Sequence, residues 1–148
     1  MLVVGTAAVA SAVLGVAVLI LRRRYLFVLV RGLSMAPAFD DGDRVLVRRL
    51  HASGVHAGDV VVLRRPWRGG GQADSSALLI KRAVAIAGDP VPAQAHAALE
   101  TGAVKVPAGA VVVLGDNPAS EDSKQWGFVN MNALVGVVVG RRGRKRGR

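Results

Sequence analysis

Residues 77–86 read ALLIKRAVAI, an apolar run with the composition of a β-strand and with a lysine at position 81 inside it. Lysine side chains are almost never fully buried without a partner. Either Lys81 faces water from an edge strand, or it is buried and its pKa falls until the amine is neutral, because an apolar environment disfavours the charged form. A neutral amine is a base. The second interpretation therefore requires a group that Lys81 can deprotonate.

The composition indicates one domain with a small core. The chain has 148 residues, 51% of them hydrophobic but only 4% aromatic, which suits a membrane segment joined to a compact β-rich domain. It contains no cysteine, so disulfides, a thiol nucleophile and thiolate metal sites are excluded. Residues 141–148 hold six basic side chains, and without them the net charge of +10 falls to +4. The basic character thus belongs mainly to a C-terminal tail, residues 141–148, which we expect to be solvated.

The N-terminal segment predicts a membrane anchor. Residues 2–21 contain no charge, and a helix of about twenty residues spans the roughly 30 Å hydrocarbon core of a bilayer. We therefore expect residues 1–21 to form a transmembrane helix. A cleaved signal peptide is the alternative, because Ala8-Val9-Ala10 is of the Ala-x-Ala type, but these residues lie in the middle of the apolar run and no basic residue precedes them. The basic residues 22–24 follow the run, and the positive-inside rule would place the chain after them in the cytoplasm.

The chain between residues 22 and 140 contains short β-prone runs separated by turns. Gly42-Asp43 and Gly58-Asp59 each precede a Val-rich run, and residues 65–76 are typical of a hairpin tip. No long helical pattern follows residue 24. We predict a mainly β fold, in which a barrel or rolled sheet of residues 22–140 follows the single transmembrane helix. The predicted strands are residues 25–30, 44–48, 60–63, 77–86, 111–114 and 135–139.

A serine provides the group that Lys81 would deprotonate. An amine of lowered pKa activates a serine hydroxyl in the Ser-Lys variant of nucleophilic catalysis. Ser34 follows a predicted strand and lies between Gly32 and Pro37, in a turn that would expose its hydroxyl. Serine in such a setting is usually only a turn former. The assignment therefore depends on the combination of Ser34 with Lys81 and with the segments around both.

That combination resembles a known family. Gly32-Leu33-Ser34-Met35-Ala36-Pro37 resembles the serine box of the type I signal peptidases, membrane-anchored serine proteases with a Ser-Lys dyad. Residues 81–89, KRAVAIAGD, resemble their lysine box, and Gly115-Asp116-Asn117 followed by residues 120–123, SEDS, resembles their third box. Gly42-Asp43 before a Val-rich strand is similar to the segment between the first two boxes. The resemblance extends from about residue 2 to about residue 140 and implies a compact all-β catalytic domain of the signal peptidase type.

The resemblance implies a role for each matching residue. Ser34 would be the nucleophile and Lys81 the general base, with Leu79, Ile80 and Ala83 as the apolar surroundings that lower the lysine pKa from about 10.4. The oxyanion hole would use the backbone N–H of Ser34, and Gly32 stands at the family's second oxyanion position, which is either a serine or a glycine.

The third box implies supporting residues. Ser120 would orient Lys81 through a hydrogen bond, Asp122 would pair with Lys124, and Asp116 and Asn117 would support the site. Two features differ from the usual family pattern. Only two residues separate Asn117 from Ser120 where three are usual, and Lys124 stands where arginine, which can bind a carboxylate through two hydrogen bonds, is usual.

The function that this resemblance implies is a membrane-bound endopeptidase that cleaves signal or leader peptides after small residues of the Ala-x-Ala type. Its partners would be preprotein signal peptides and the lipid bilayer, without a cofactor or a specific nucleic acid. It would be a single-pass protein of the plasma membrane with its catalytic domain on the extracytoplasmic side, which conflicts with the orientation that residues 22–24 indicate.

Other functions remain as alternatives. A dedicated maturation protease for one secreted substrate fits the sequence equally well. A noncatalytic membrane protein could instead bind anionic lipid or nucleic acid through the basic tail. The self-cleaving repressors of the SOS response share the Ser-Lys chemistry, but the predicted membrane helix and the lack of a DNA-binding domain argue against them.

Other polar and aromatic residues support weaker hypotheses. The three histidines lie on different loops without the spacing of metal ligands. The clustered acids are typical of a solvated turn rather than of paired acid catalysis. The two tryptophans either anchor the protein at a membrane interface or simply pack. These residues are His51, His56 and His96; Asp40, Asp41 and Asp43; and Trp67 and Trp126.

Overall fold

The computed structural model describes residues 2–50, 54–66, 78–98 and 104–142. Most of the predicted hairpin tip of residues 65–76 lies outside these ranges, and so do His51, Trp67 and residues 143–148 of the basic tail. One helix, seven strands and a short second helix form the regular structure of the described chain, and two 3₁₀ turns span Ala93–Ala98 and Met131–Ala133. The elements are α1, Leu2–Arg24; β1, Tyr25–Leu29; β2, Arg44–Arg49; β3, Val60–Arg64; β4, Leu78–Ile86; β5, Ala110–Leu114; α2, Ser123–Trp126; β6, Val129–Asn130; and β7, Leu134–Arg142.

The strands form one antiparallel, curled sheet in the order β1-β2-β7-β3-β4-β5-β6. The predicted mainly β fold is therefore confirmed. Register shifts interrupt the β2/β7, β3/β7 and β4/β5 pairs. Such bulges bend a strand and increase its twist, which curls the sheet. Because β4 lies between β3 and β5, the interpretation of Lys81 as a water-facing residue of an edge strand is wrong.

The core explains why Lys81 is buried. Val61 and Leu63 pack in one apolar cluster, whereas Val62 between them packs in another, so β3 is covered on both faces. On β4, Ile80 belongs to the second cluster and Ala83 to the first. Successive side chains of a strand point to opposite faces. Lys81 therefore lies on the same face as Ala83, inside the apolar side of the sheet.

Helix α1 begins the chain and extends to Arg24, three residues beyond the predicted anchor boundary. From residue 11 onward its side chains are exposed, and they are mainly apolar as far as Leu21. Within the residues whose side chains the structure describes, no helix is long and apolar enough to cross a membrane. The transmembrane anchor stays a prediction.

The end of β7 is bound to the segment that follows Ser34. Strand β7 continues through Arg142, so Arg141 belongs to the sheet. Its Nε donates to Asp43 Oδ2 at 2.8 Å, its guanidinium lies 5.5 Å from the Phe39 ring, and it also donates to the carbonyl of Ala38. Asp43 is only 1% exposed, in contrast to the solvated turn that the sequence predicts for the clustered acids. Its partner is 98 residues away in the sequence, which explains why the local pattern did not reveal it.

We predict that Arg141→Met lowers the free energy of unfolding by about 1–3 kcal/mol, because it leaves the buried carboxylate of Asp43 without its charged donor. Arg142→Met, at the next position of the same strand and exposed, is the matched control. Guanidinium unfolding of the full chain in detergent, followed by tryptophan fluorescence, measures the difference. Equal midpoints for the two variants would contradict the prediction.

Candidate active site

Ser34 lies in the loop that connects β1 and β2. The next residue, Met35, is fully buried in the cluster with Val45 and Val62, so the loop is fastened to the core directly beside the half-buried serine. Gly32 has φ +84°, a conformation that side chains rarely adopt, and its N–H donates to Asp41 Oδ1 at 2.7 Å. This hydrogen bond occupies the amide of Gly32. The oxyanion role that the sequence gave to Gly32 stays a prediction.

The loop after β5, residues 115–122, holds the Ser34 loop from the other side. The N–H of Asn117 donates to the carbonyl of Ser34 at 3.1 Å, and its side-chain amide donates to the carbonyl of Leu33 at 3.0 Å. The same side chain accepts a hydrogen bond from the N–H of Ala119, which fixes its orientation. Asn117 thus joins the first and third boxes.

Gly115 is the point where Ser34 and Ser120 approach each other. A Cβ atom at position 115 would lie 2.2 Å from Ser120 Oγ and 2.6 Å from the carbonyl oxygen of Ser34. Both distances are shorter than real Cβ contacts allow, so only glycine fits here. The sequence placed Gly115 in the third box but indicated no role for it. Its signal was its position directly after a buried strand and before a turn.

Lys81 and Ser120 are in direct contact. Lys81 is 3% exposed, and its Nζ donates to Ser120 Oγ at 2.6 Å. Burial lowers the pKa of the Lys81 amine, while the carboxylates of Asp122 and Glu121 raise it and the ammonium of Lys124 lowers it. Because burial is the largest of these effects, the amine is shifted toward its neutral form. The structure therefore brings the predicted base and its predicted orienting serine together.

Asp122 organises the loop that carries Ser120. Its buried side chain accepts hydrogen bonds from the N–H of Gly115 at 2.9 Å and of Lys124 at 3.0 Å, and Lys124 Nζ lies 3.4 Å from Oδ2. The Gln125 side chain accepts from the N–H of Asp122 and completes a capping box at the start of α2. The predicted pairing of Asp122 with Lys124 is thus present in the structure, although lysine replaces the usual arginine.

Asp116 has a partner that the sequence did not reveal. Arg82 Nε and Nη2 donate to the two carboxylate oxygens of Asp116 at 2.8 and 2.7 Å, and Arg82 Nη1 donates to the carbonyl of Gly58 at 2.9 Å. Arg82 follows Lys81 on β4, so its side chain lies on the opposite face of the strand. Two adjacent residues of β4 therefore hold the third box, one through Ser120 and the other through Asp116.

The histidines do not form a metal site within the described ranges. His56 lies 3.6 Å from Asp59, and His96 contacts the carbonyl of Val91. The two histidines are far from each other along the chain. His51 lies outside the described residues. In the part of the chain that the structure describes, no three histidine, aspartate or glutamate side chains converge for a metal ion.

Comparison with known families agrees with this geometry. The sequence model of the family described as signal peptidase, peptidase S26, matches residues 3–99 and 92–141. These segments cover most of the chain, so the chain belongs to this family. The resemblance to the type I signal peptidases is confirmed, and membership makes the chain a serine peptidase of the signal peptidase type whose substrates carry signal peptides. No curated protein matches the chain significantly.

We predict that Gly115→Ala reduces peptidase activity by about 100-fold or more, because a methyl group would push Ser34 and Ser120 apart and small displacements of catalytic groups carry costs of this size. Gly140→Ala is the matched control, since its Cβ would meet only Leu46 Cβ at an ordinary 3.6 Å. Cleavage rates, with circular dichroism to verify folding, measure both. A Gly115→Ala enzyme as active as the Gly140→Ala enzyme would contradict the prediction.

Proposed function

We propose that this protein is a membrane-bound endopeptidase that cleaves signal or leader peptides after small residues of the Ala-x-Ala type, with Ser34 as nucleophile and Lys81 as general base. One observation carries the proposal. The buried amine of Lys81 is bound to Ser120, and the Ser120 hydroxyl and the Ser34 carbonyl both lie within 2.6 Å of the point where a Cβ of residue 115 would stand. Family membership supports the reaction class.

The hydrogen bond between Lys81 and Ser120 suits a lysine that acts as a base. A neutral amine has two N–H donors and one lone pair. When one N–H donates to Ser120, the orientation of the lone pair is restricted, and a lone pair directed at the Ser34 hydroxyl can accept its proton. Ser120 thus would act through Lys81 and not on the substrate.

The reaction then follows two steps. Ser34 Oγ attacks the scissile carbonyl carbon while Lys81 Nζ takes the hydroxyl proton, and the resulting ammonium gives a proton to the leaving amine as the C–N bond breaks. A water molecule next attacks the acyl ester, with Lys81 again accepting a proton, and the proton returns to Ser34 Oγ as the C–O bond breaks. The backbone N–H of Ser34 would stabilise the oxyanion, an effect worth about 2.7–4 kcal/mol per donor in serine proteases.

The same chemistry fixes the sign of the pH dependence. Only the neutral amine of Lys81 accepts a proton, so cleavage rises as the pH increases through the pKa of Lys81. Because burial lowers that pKa, the cleavage rate should increase at a lower pH than the pH at which an ordinary lysine loses its proton.

The predicted anchor and location belong to the same proposal. Residues 2–21 carry no charge, and the apolar side chains of α1 between Val13 and Leu21 are exposed, which supports insertion into a lipid bilayer. Signal peptides are removed on the extracytoplasmic side of the plasma membrane, so we place the catalytic domain there, against the orientation that the positive-inside rule gives for residues 22–24.

We expect Ser34→Ala to abolish cleavage of a preprotein with an Ala-x-Ala site, because it removes the attacking oxygen. Lys81→Met should reduce the rate by about 10²–10⁴-fold, the usual contribution of a general base. Ser11→Ala in α1 and Lys105→Met on the surface are controls that replace the same residue types at exposed positions and should keep the activity.

Gel assays with the full-length enzyme in detergent, and mass spectrometry of the product ends, give the rates and the cleaved bond. Full activity of either dyad variant would exclude the proposed mechanism. Equal cleavage of a substrate with phenylalanine in place of both alanines would exclude the small-residue specificity.

The orientation has its own test. A protease added to intact cells that express the protein with a C-terminal tag should digest the tag, because we place the domain outside the membrane. A tag on a cytoplasmic protein, expressed in the same cells, controls for cell integrity. If the tag of the peptidase is cut only after the cells are lysed, the domain lies inside, as residues 22–24 indicate.

A further inference from the structure

Trp126, the last residue of α2, lies beside the base and has no part in the reaction described so far. Its ring centroid is 6.0 Å from Lys81 Nζ, and the half-buried side chain packs against the same apolar cluster as Ala83 and Val113. The sequence suggested either a membrane anchor or a packing role for this tryptophan. Its position next to the amine of Lys81 suggests a more specific one.

Two charged residues hold the ring in this place. Trp126 Nε1 donates to Glu121 Oε1 at 3.0 Å, and Arg65 Nη2 donates to Glu121 Oε2 at 2.6 Å. Arg65 follows β3, which pairs with β4, and Glu121 directly follows Ser120. The hydrogen bonds from Trp126 and from Arg65 lower the pKa of Glu121, so the carboxylate remains ionised. A continuous set of contacts thus runs from Arg65 through Glu121 and Trp126 to Lys81.

The distance decides what the ring can do for the amine. The face of an aromatic ring attracts a cation, but 6.0 Å is at the outer limit of this interaction. The bulk of the indole, in contrast, excludes water from one side of the amine at any protonation state. Exclusion of water favours the neutral amine, and burial is the largest influence on the pKa of Lys81.

The charged side chains around Lys81 also act on its pKa. Glu121 is an anion close to the base and raises the pKa of Lys81, as Asp122 also does. Arg65 binds Glu121 and offsets its charge, just as Lys124 lies next to Asp122. The charged groups that act on Lys81 from the third box and α2 are therefore two acids, each with a basic partner. Arg65 thus allows Glu121 to hold Trp126 without the full effect of its charge on the base.

On the basis of the proposed function, we propose that Trp126 is a positioning residue for the cleavage reaction. Its indole, held by Glu121 and Arg65, forms the wall that keeps the Lys81 amine against Ser120 and excludes water from it. Trp126 acts through Lys81 and need not touch the substrate.

The pH profile of kcat/KM for the full-length enzyme tests this role. The acidic limb of this profile is the pH range in which kcat/KM rises as Lys81 loses its proton. Trp126→Ala should move this limb to higher pH, because water reaches the amine and its pKa rises. At a fixed pH below the limb the rate should fall about tenfold for each pH unit by which the limb moves, whereas at high pH it should recover. Trp126→Phe keeps a ring at the site and should leave the limb close to that of the unchanged enzyme. Phe128→Ala, which removes an aromatic ring from a different cluster, is the control and should not move the limb.

Substitutions of Glu121 and Arg65 should move the acidic limb in opposite directions. Glu121→Gln keeps an oxygen acceptor for Trp126 but removes a negative charge, so the limb should move to lower pH. Arg65→Gln leaves Glu121 without its cation, so the limb should move to higher pH. Both side chains are about half exposed, and both displacements of the limb should therefore shrink at high salt. A general loss of structure would not move the limb in opposite directions in these two variants.

The outcomes separate the two proposals. If Ser34→Ala or Lys81→Met keeps full activity, the proposed function fails. If both are inactive but Trp126→Ala loses activity equally at every pH, or keeps an unchanged profile, the role of Trp126 is wrong while the dyad stands. If Trp126→Ala does not fold, the charged pair decides, and unmoved limbs for Glu121→Gln and Arg65→Gln overturn the inference.

Discussion

The site depends on one constraint, the burial of the Lys81 amine in the sheet. A buried amine must be neutral, or have a hydrogen-bond partner, or both. Lys81 meets this requirement through its hydrogen bond of 2.6 Å to Ser120. An unpaired polar group in such a place would cost several kcal/mol. The loop after β5 therefore positions the Ser120 hydroxyl at Lys81 Nζ. Gly115, the buried Asp122 and the capped helix α2 that follows the loop hold Ser120 in this place.

The same loop links Lys81, the proposed base, to the segment that carries Ser34, the proposed nucleophile. Asn117 binds two successive carbonyls of the serine loop, and Gly115 allows that loop to approach Ser120 closely. These contacts hold the backbone of Ser34 and do not use its hydroxyl, as its proposed role as nucleophile requires. The short spacing between Asn117 and Ser120 is compatible with this arrangement, because the two-residue turn still brings Ser120 Oγ to Lys81. Lys124 likewise reaches Asp122, although with one contact instead of two.

Much of this could be predicted from the sequence, since the informative signals are local. Short Val-rich runs between Gly-Asp turns predict strands, and all six predicted strands are present. The boxes predicted the hydrogen bond between Lys81 and Ser120 and the pairing of Asp122 with Lys124. The strand order could not be predicted, because β7 pairs between β2 and β3 across about half the chain, and such pairing leaves no local pattern. Arg82 with Asp116, Asp43 with Arg141, and Trp126 with Lys81 were missed for the same reason.

The electrostatics of the site follow a consistent logic. Nearby carboxylates favour the charged form of Lys81, which could not act as the proposed base, yet the loop needs Asp122 to cap α2 and Glu121 to hold Trp126. Each acid has a cation beside it, Lys124 in one case and Arg65 in the other. A monodentate lysine is sufficient for Asp122, because backbone N–H groups already satisfy both of its oxygens. The residue at position 124 must therefore supply a positive charge beside Asp122, but it need not form the two parallel hydrogen bonds of arginine. The replacement of arginine by lysine at position 124 therefore keeps the property on which Lys81 depends.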